Sequence, residues 1–213
     1  VQVGVALGTS NTDLTAAAGT ELNFNNTLNM GGRQLVVSGP GRVNVNNNID
    51  TGTAGTLVNG GNVGGSGRVN GNLQNNGGTI DPGNGLGTLT VDALFSQNAS
   101  GTLNIELGGT GVGQYDKLAV TTTAVLNGFV SAKYANGFVP AIGDMFTILT
   151  AATVNNGGVI ELAPQDLPYY QLIVIATNVQ LKVTAIEPTG VIGDYNQNDV
   201  VDAADYTIWR NAL

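Results

Sequence analysis

The sequence predicts an all-β chain wound as a solenoid, with one short helix at its C-terminal end. Three observations carry this expectation. Apolar and polar residues alternate with period 2 in run after run, Gly/Asn clusters separate the runs, and a short motif recurs at an interval suited to stacked repeats. No stretch before Ala203 shows a convincing 3.6-residue period, which argues against doubly wound α/β folds.

The first run is Val1, Val3, Val5 and Leu7, a strand without a single charge. It reads either as an ordinary first strand or as a strand that pairs with another subunit's free edge, which makes Val1, Val3 and Val5 interface candidates. Further runs are Leu103, Ile105 and Leu107; then Leu126, Gly128, Val130, Ala132 and Tyr134; then Val179, Leu181, Val183 and Ala185. Strict alternation places one face inward and one toward solvent. The longest apolar stretch, Leu172–Ala176, is strand-sized and far short of the roughly 18 residues of a membrane helix. The turns include Asn59-Gly60-Gly61, Asn75-Asn76-Gly77-Gly78 and Asn155-Asn156-Gly157-Gly158, residues that adopt positive φ at little cost. "GRVN" occurs at Gly41–Asn44 and at Gly67–Asn70, an offset close to one solenoid coil. The alternative is a Greek-key β-sandwich in which the repeat is coincidental.

Composition narrows the function. The 213 residues include 32 Gly, only 10% charged residues, 42% hydrophobic residues and a net charge of −8. That hydrophobic fraction argues against disorder. The seven Lys and Arg form no cluster, so nucleic-acid binding is not expected. There is no Cys and no His, which removes disulfides, thiolate metal sites and a Ser-His-Asp triad. The sequence begins at Val1 rather than Met, as expected of a secreted product whose signal peptide was removed.

The segments "NNGGTIDPGNGLGTLTV" (Asn75–Val91), "GTLNIELGGTGVGQYDKLAV" (Gly101–Val120) and "NGFVPAIGDMFTILTA" (Asn136–Ala151) resemble the β-helical passenger region of autotransporter-type bacterial proteins. The resemblance covers the middle third to half of the chain. It implies a right-handed parallel β-helix, exported and displayed at the cell surface. No membrane β-barrel follows these segments here, so display by a barrel is not expected.

The β-solenoid is expected over residues 1–187, followed by a linker at 188–193 where Pro188 and Gly190 break strand pairing. The last unit, 194–213, opens with an acidic knot. Asp194, Asn196, Asn198, Asp202 and Asp205 fall at positions 1, 3, 5, 9 and 12 of a twelve-residue loop, and Val200 at position 7 offers its carbonyl. That is the ligand spacing of an EF-hand calcium loop, in which alternate residues of a curled loop point their oxygens at one hard cation. Position 6 is Asp199 in place of Gly, and position 12 is Asp in place of Glu, which lowers the expected affinity. The alternative is a polar loop in which Asp202 caps a helix and Asp205 favours its dipole.

The stretch through "VDAADYTIWRNAL" resembles a single repeat of a type I dockerin. The resemblance implies calcium held by Asp194, Asn196, Asn198, Val200, Asp202 and Asp205. It also implies a cohesin-like partner, although only one of the usual two repeats is present. The helix, about Ala203–Leu213, needs a surface for its apolar side, and Ile208 and Trp209 are interface candidates.

The expected function is that of a secreted structural protein of the cell surface or extracellular matrix. It would self-assemble into a filament or layer and carry a calcium-stabilised end. The alternatives are a polysaccharide-binding or polysaccharide-degrading protein, or a dockerin-anchored module. Catalysis is not expected. Asp81, Asp92, Glu106, Asp116, Asp144 and Glu161 are the candidates for a catalytic pair, and no spacing singles out two of them.

Overall fold

The computed structural model describes residues 11–167, 169–186 and 203–211. The first strands are β1 (Thr12–Thr15), β2 (Glu21–Phe24), β3 (Leu28–Asn29), β4 (Leu35–Ser38), β5 (Arg42–Val45), β6 (Asn48–Val58) and β7 (Asn62–Gly65). There follow β8 (Arg68–Asn75), β9 (Thr79–Pro82), β10 (Thr88–Val91), β11 (Phe95–Gln97), β12 (Thr102–Leu107), β13 (Lys117–Val120) and β14 (Thr123–Val125). The last are β15 (Gly128–Tyr134), β16 (Met145–Thr150), β17 (Thr153–Asn155), β18 (Ile160–Leu162), β19 (Tyr170–Ile175) and β20 (Asn178–Val183), and then helix α1 (Ala203–Asn211).

The protein is all-β with mostly parallel sheets. The strands form three rows of parallel neighbours, which the chain visits in rotation. One row stacks β1, β4, the distal parts of β6 and β8, β11, β14 and β17. The second row is a separate sheet in the order β18-β15-β12-β9-β7-β5-β2. The third stacks β3, the proximal parts of β6 and β8, β10, β13 and β16. Strands β6 and β8 run through the bend between the third and first rows. Gly52 (φ 54°) and Gly71 (φ 130°) make that bend, in a region that other residues rarely adopt.

Parallel pairing is not that of a Greek-key sandwich, whose neighbouring strands run antiparallel. The register also corrects one sequence expectation, because the two "GRVN" copies do not stack on each other. The first lies in the second row, where Arg42 pairs with Asn62. The second lies in the third row, where Arg68 pairs with Asn48. Register follows the inward apolar positions, since a slip of one residue would turn each of them to solvent. In the second row Val43, Val63, Ile80, Leu103, Val130 and Leu162 stack in this way and are all buried.

The run Val1–Leu7 lies outside the described residues; in the other three runs most inward positions are buried, and Tyr134 and Ala185 are half-buried. Leu103, Ile105, Leu107, Leu126, Val130 and Ala132 are buried, as are Val179, Leu181 and Val183. The stretch Leu172–Ala176 supplies most of β19, but its setting differs from the rest. Strands β19 and β20 form an antiparallel hairpin turned at Ala176-Thr177, and β20 pairs antiparallel with β16. The parallel order therefore ends there. Strand β19 is the last strand of its sheet path, with Leu172, Ile173 and Val174 only half-buried and Ile175 exposed.

The bends between rows explain the asparagine content. Asn76 donates through Nδ2 to Asn59 Oδ1 at 2.9 Å, and Asn98 donates to Asn76 Oδ1 at 3.0 Å. Such amide ladders satisfy both donor and acceptor along the stack. A buried version joins Asn75 and Gln97. Asn75 Oδ1 accepts from Gly78 N at 2.9 Å, its Nδ2 donates to Gln97 Oε1 at 3.2 Å, and Gln97 Nε2 donates to Asn127 O at 2.8 Å. Asn75→Leu would leave these partners unsatisfied inside the protein. Its expected cost is about 2–4 kcal/mol, from roughly 1–3 kcal/mol per orphaned group. Urea unfolding with an unchanged m value checks it.

The outward face of the second row carries a polar network. Arg42 on β5 reaches over Gly64 on β7 to the Asp81 carboxylate on β9, and its Nη2 donates to Gly83 O at 2.7 Å. Asn62 and Asn104 donate to the two Asp81 oxygens at 3.1 and 2.8 Å. A Cβ at Gly64 would sit on the Arg42 guanidinium and on the Asp81 carbonyl. Gly64→Val is therefore expected to displace Arg42 and to cost about 1–3 kcal/mol, the range of overpacking substitutions. Loss of the added destabilisation in an Arg42→Ala background would assign part of the cost to the crossing.

Candidate functional site

The connections from the second row to the next strand are short in the first part of the chain and longer from β9 onward. Two residues follow β5 and two follow β7; loops 83–87, 108–116 and 135–144 follow β9, β12 and β15, and 163–169 follows β18. In stacked repeats, insertions that collect on one side mark the side available for binding.

Carboxylates fasten these loops. Asp116, just before β13, accepts from Gly87 N through Oδ1 and from Glu106 N through Oδ2, each at 2.8 Å. Asp144, just before β16, accepts from Ala141 N at 2.8 Å. Asp166 accepts from Ala132 N at 3.3 Å. Burial pushes the Asp116 carboxyl up to about 7, against the downward pull of its two backbone hydrogen bonds. Burial raises Asp166 as well, opposed by its hydrogen bonds to Ser131 and Ala132. An aromatic cluster completes the base of the loops. Tyr115 and Phe138 meet the buried Phe146 ring edge to face, at centroid distances of 5.3 and 6.4 Å.

The loop tips are apolar and face solvent. Val112 is fully exposed, Ile142 is 68% exposed, and Val139 and Leu167 are also exposed. Beside the last loop lies a cleft of about 550 Å³, lined among others by Phe129, Glu161, Leu162, Leu167, Gln171 and Leu172. Phe129 and Glu161 are register partners on β15 and β18, so the ring and the carboxylate stand side by side on the outward face.

The expected calcium ligands Asp194, Asn196, Asn198, Val200 and Asp202 lie outside the described residues, as do Val1, Val3 and Val5. Helix α1 begins at Ala203, where the sequence predicts a helix. Asp205, Ile208 and Trp209 belong to its backbone, and their side chains lie outside what the structure describes. Among the described residues, no group of three or more acidic side chains is placed to hold a metal ion.

The carboxylates available for catalysis are dispersed and mostly engaged. Asp81 pairs with Arg42, Asp92 with Arg68, and Glu106 with Lys133 at 2.9 Å. Glu106 raises the Lys133 ammonium above its ordinary value, chiefly through that hydrogen bond. Asp116 and Asp144 hold loops, while Glu161 is exposed at the cleft. Sequence reasoning missed the loop side of the molecule. Its signal is legible in "GGTGVGQYDKL" and "ANGFVPAIGDMF", where a Gly-rich loop closes on an Asp just before a strand.

No helix among the described residues is long and apolar enough to cross a membrane. Compared with known protein families and with characterised proteins, the chain matches none.

Proposed function

We propose that the chain is a right-handed parallel β-helix and a secreted structural protein of the cell surface or extracellular matrix. It self-associates, and its C-terminal element is stabilised by calcium. The observation that carries this reading is the apolar terminal strand β19, with half-buried Leu172, Ile173 and Val174 and exposed Ile175 at one end of the stacked rows. An uncharged apolar edge of this kind is a template for strand addition. Contacts between unlike ends do not close, so they propagate into filaments or layers. Three further features support the reading: the rotation of the chain through three parallel rows, the resemblance to autotransporter passengers, and the twelve-residue loop from Asp194 to Asp205 with dockerin-like spacing.

The reading is non-enzymatic. The engaged carboxylates support it, because a general acid or base needs a free proton-transfer face and these groups accept from backbone amides or pair with cations.

A lysine on the edge tests the association. Ile175→Lys should leave the fold intact, since the residue is already exposed, and should abolish concentration-dependent sedimentation. Unchanged association in this variant would remove β19 as the contact.

A further inference from the structure

We infer that the cleft between β18 and β19 is the docking groove of helix α1 from the same chain. This rests on the proposed function only in treating the C-terminal unit as a separate ordered element. The chain leaves the stacked strands beside this cleft. After β20, Thr184 N and Ala185 N both donate to Tyr169 O, at 2.8 and 3.2 Å. Tyr169 precedes Tyr170, which lines the cleft. The described strands thus end beside the rim of the cleft. Tethering gives α1 an effective concentration there on the order of millimolar, so a modest intrinsic affinity suffices.

The residue types of α1 suit the cleft. The cleft offers Phe129, Leu162, Leu167 and Leu172 as an apolar floor and walls, with Leu167 exposed. Helix α1 brings Ile208 and Trp209, the only Trp of the chain, and at nine residues it is too short to be stable without packing. The cleft also carries the exposed carboxylate of Glu161, and the last turn of α1 carries the exposed Arg210. A cation at a helix C-terminus beside a carboxylate is favourable for both the pair and the helix dipole. The lining takes in Tyr170–Leu172 of β19 and leaves Ile173–Ile175 outside it, so docking shares only Leu172 with the edge proposed for association.

Trp209 reports on the docking directly, since no other Trp contributes emission. In the full chain, its emission should lie at shorter wavelength and be shielded from acrylamide, independent of protein concentration. Leu167→Asp, at an exposed loop position, should shift the emission to longer wavelength with an unchanged far-UV spectrum. Glu161→Arg should do the same in part, and adding Arg210→Glu should restore the original spectrum. Solvent-like emission in the unmodified chain, or emission indifferent to Leu167→Asp and to the charge swap, would overturn the proposal. Emission that shifts with protein concentration would also overturn it, because the groove would then take a second copy. Sedimentation of the same samples reports separately on self-association.

Discussion

Phe146→Ala is expected to lower stability by about 3–5 kcal/mol, the range for removing a buried aromatic ring. Phe146 is fully buried on β16 and is the common partner of Tyr115 and Phe138, which stand in successive loops. Its loss therefore has two parts, a cavity in the core and a release of loops 108–116 and 135–144 from their shared anchor. Denaturant unfolding measures the first. Native-state hydrogen exchange measures the second, as faster exchange of Gln114 N, which now donates to Gly111 O, and of Phe138 N, which donates to Ala135 O. Phe146→Leu should recover much of the stability, because an aliphatic side chain fills most of the cavity. A Phe146→Ala protein that loses stability without faster loop exchange would separate the loops from this anchor.

The second large effect is on pH. The Asp116 carboxyl sits at about 7 in the folded protein, raised by burial from an ordinary value near 3.8. A raised acid binds more protons folded than unfolded between those two values, so stability falls as pH rises from about 4 to about 7 and levels off above. Asp166 is raised for the same reason and adds in the same direction. Each tenfold change in proton affinity is worth about 1.4 kcal/mol, so Asp116 is the strongest single pH lever in the described residues. Melting temperature should be higher at pH 5 than at pH 8. Asp116→Asn should flatten this slope. It should also destabilise at pH 5 by about 1–3 kcal/mol, since an amide N–H₂ then faces a backbone N–H of Gly87 or Glu106. A slope left intact in Asp116→Asn would place the titration elsewhere.

Sequence alone conveyed the strands better than their partners. Leu103, Ile105 and Leu107 announce a buried face through period 2, and the structure buries all three. The recurrence of "GRVN" points to stacking on the right scale but pairs the wrong segments. Pairing is decided by which apolar residues stack, as Val43 does on Val63 and Ile49 on Val69, and a four-residue polar motif carries no such information. The antiparallel hairpin β19–β20 is hidden for a similar reason, since alternation is the same in either direction of pairing. The network from Arg42 to Asp81 spans three strands, and its partners are far apart in sequence. Only Gly64, which leaves room for the crossing, hints at it.

Electron microscopy of the purified chain tests the proposed calcium-supported self-association of the stacked strands. With calcium the expected result is elongated assemblies, which shorten or disperse when a chelator removes the ion from the Asp194–Asp205 loop. Single particles of one chain at high concentration, with and without calcium, would contradict it.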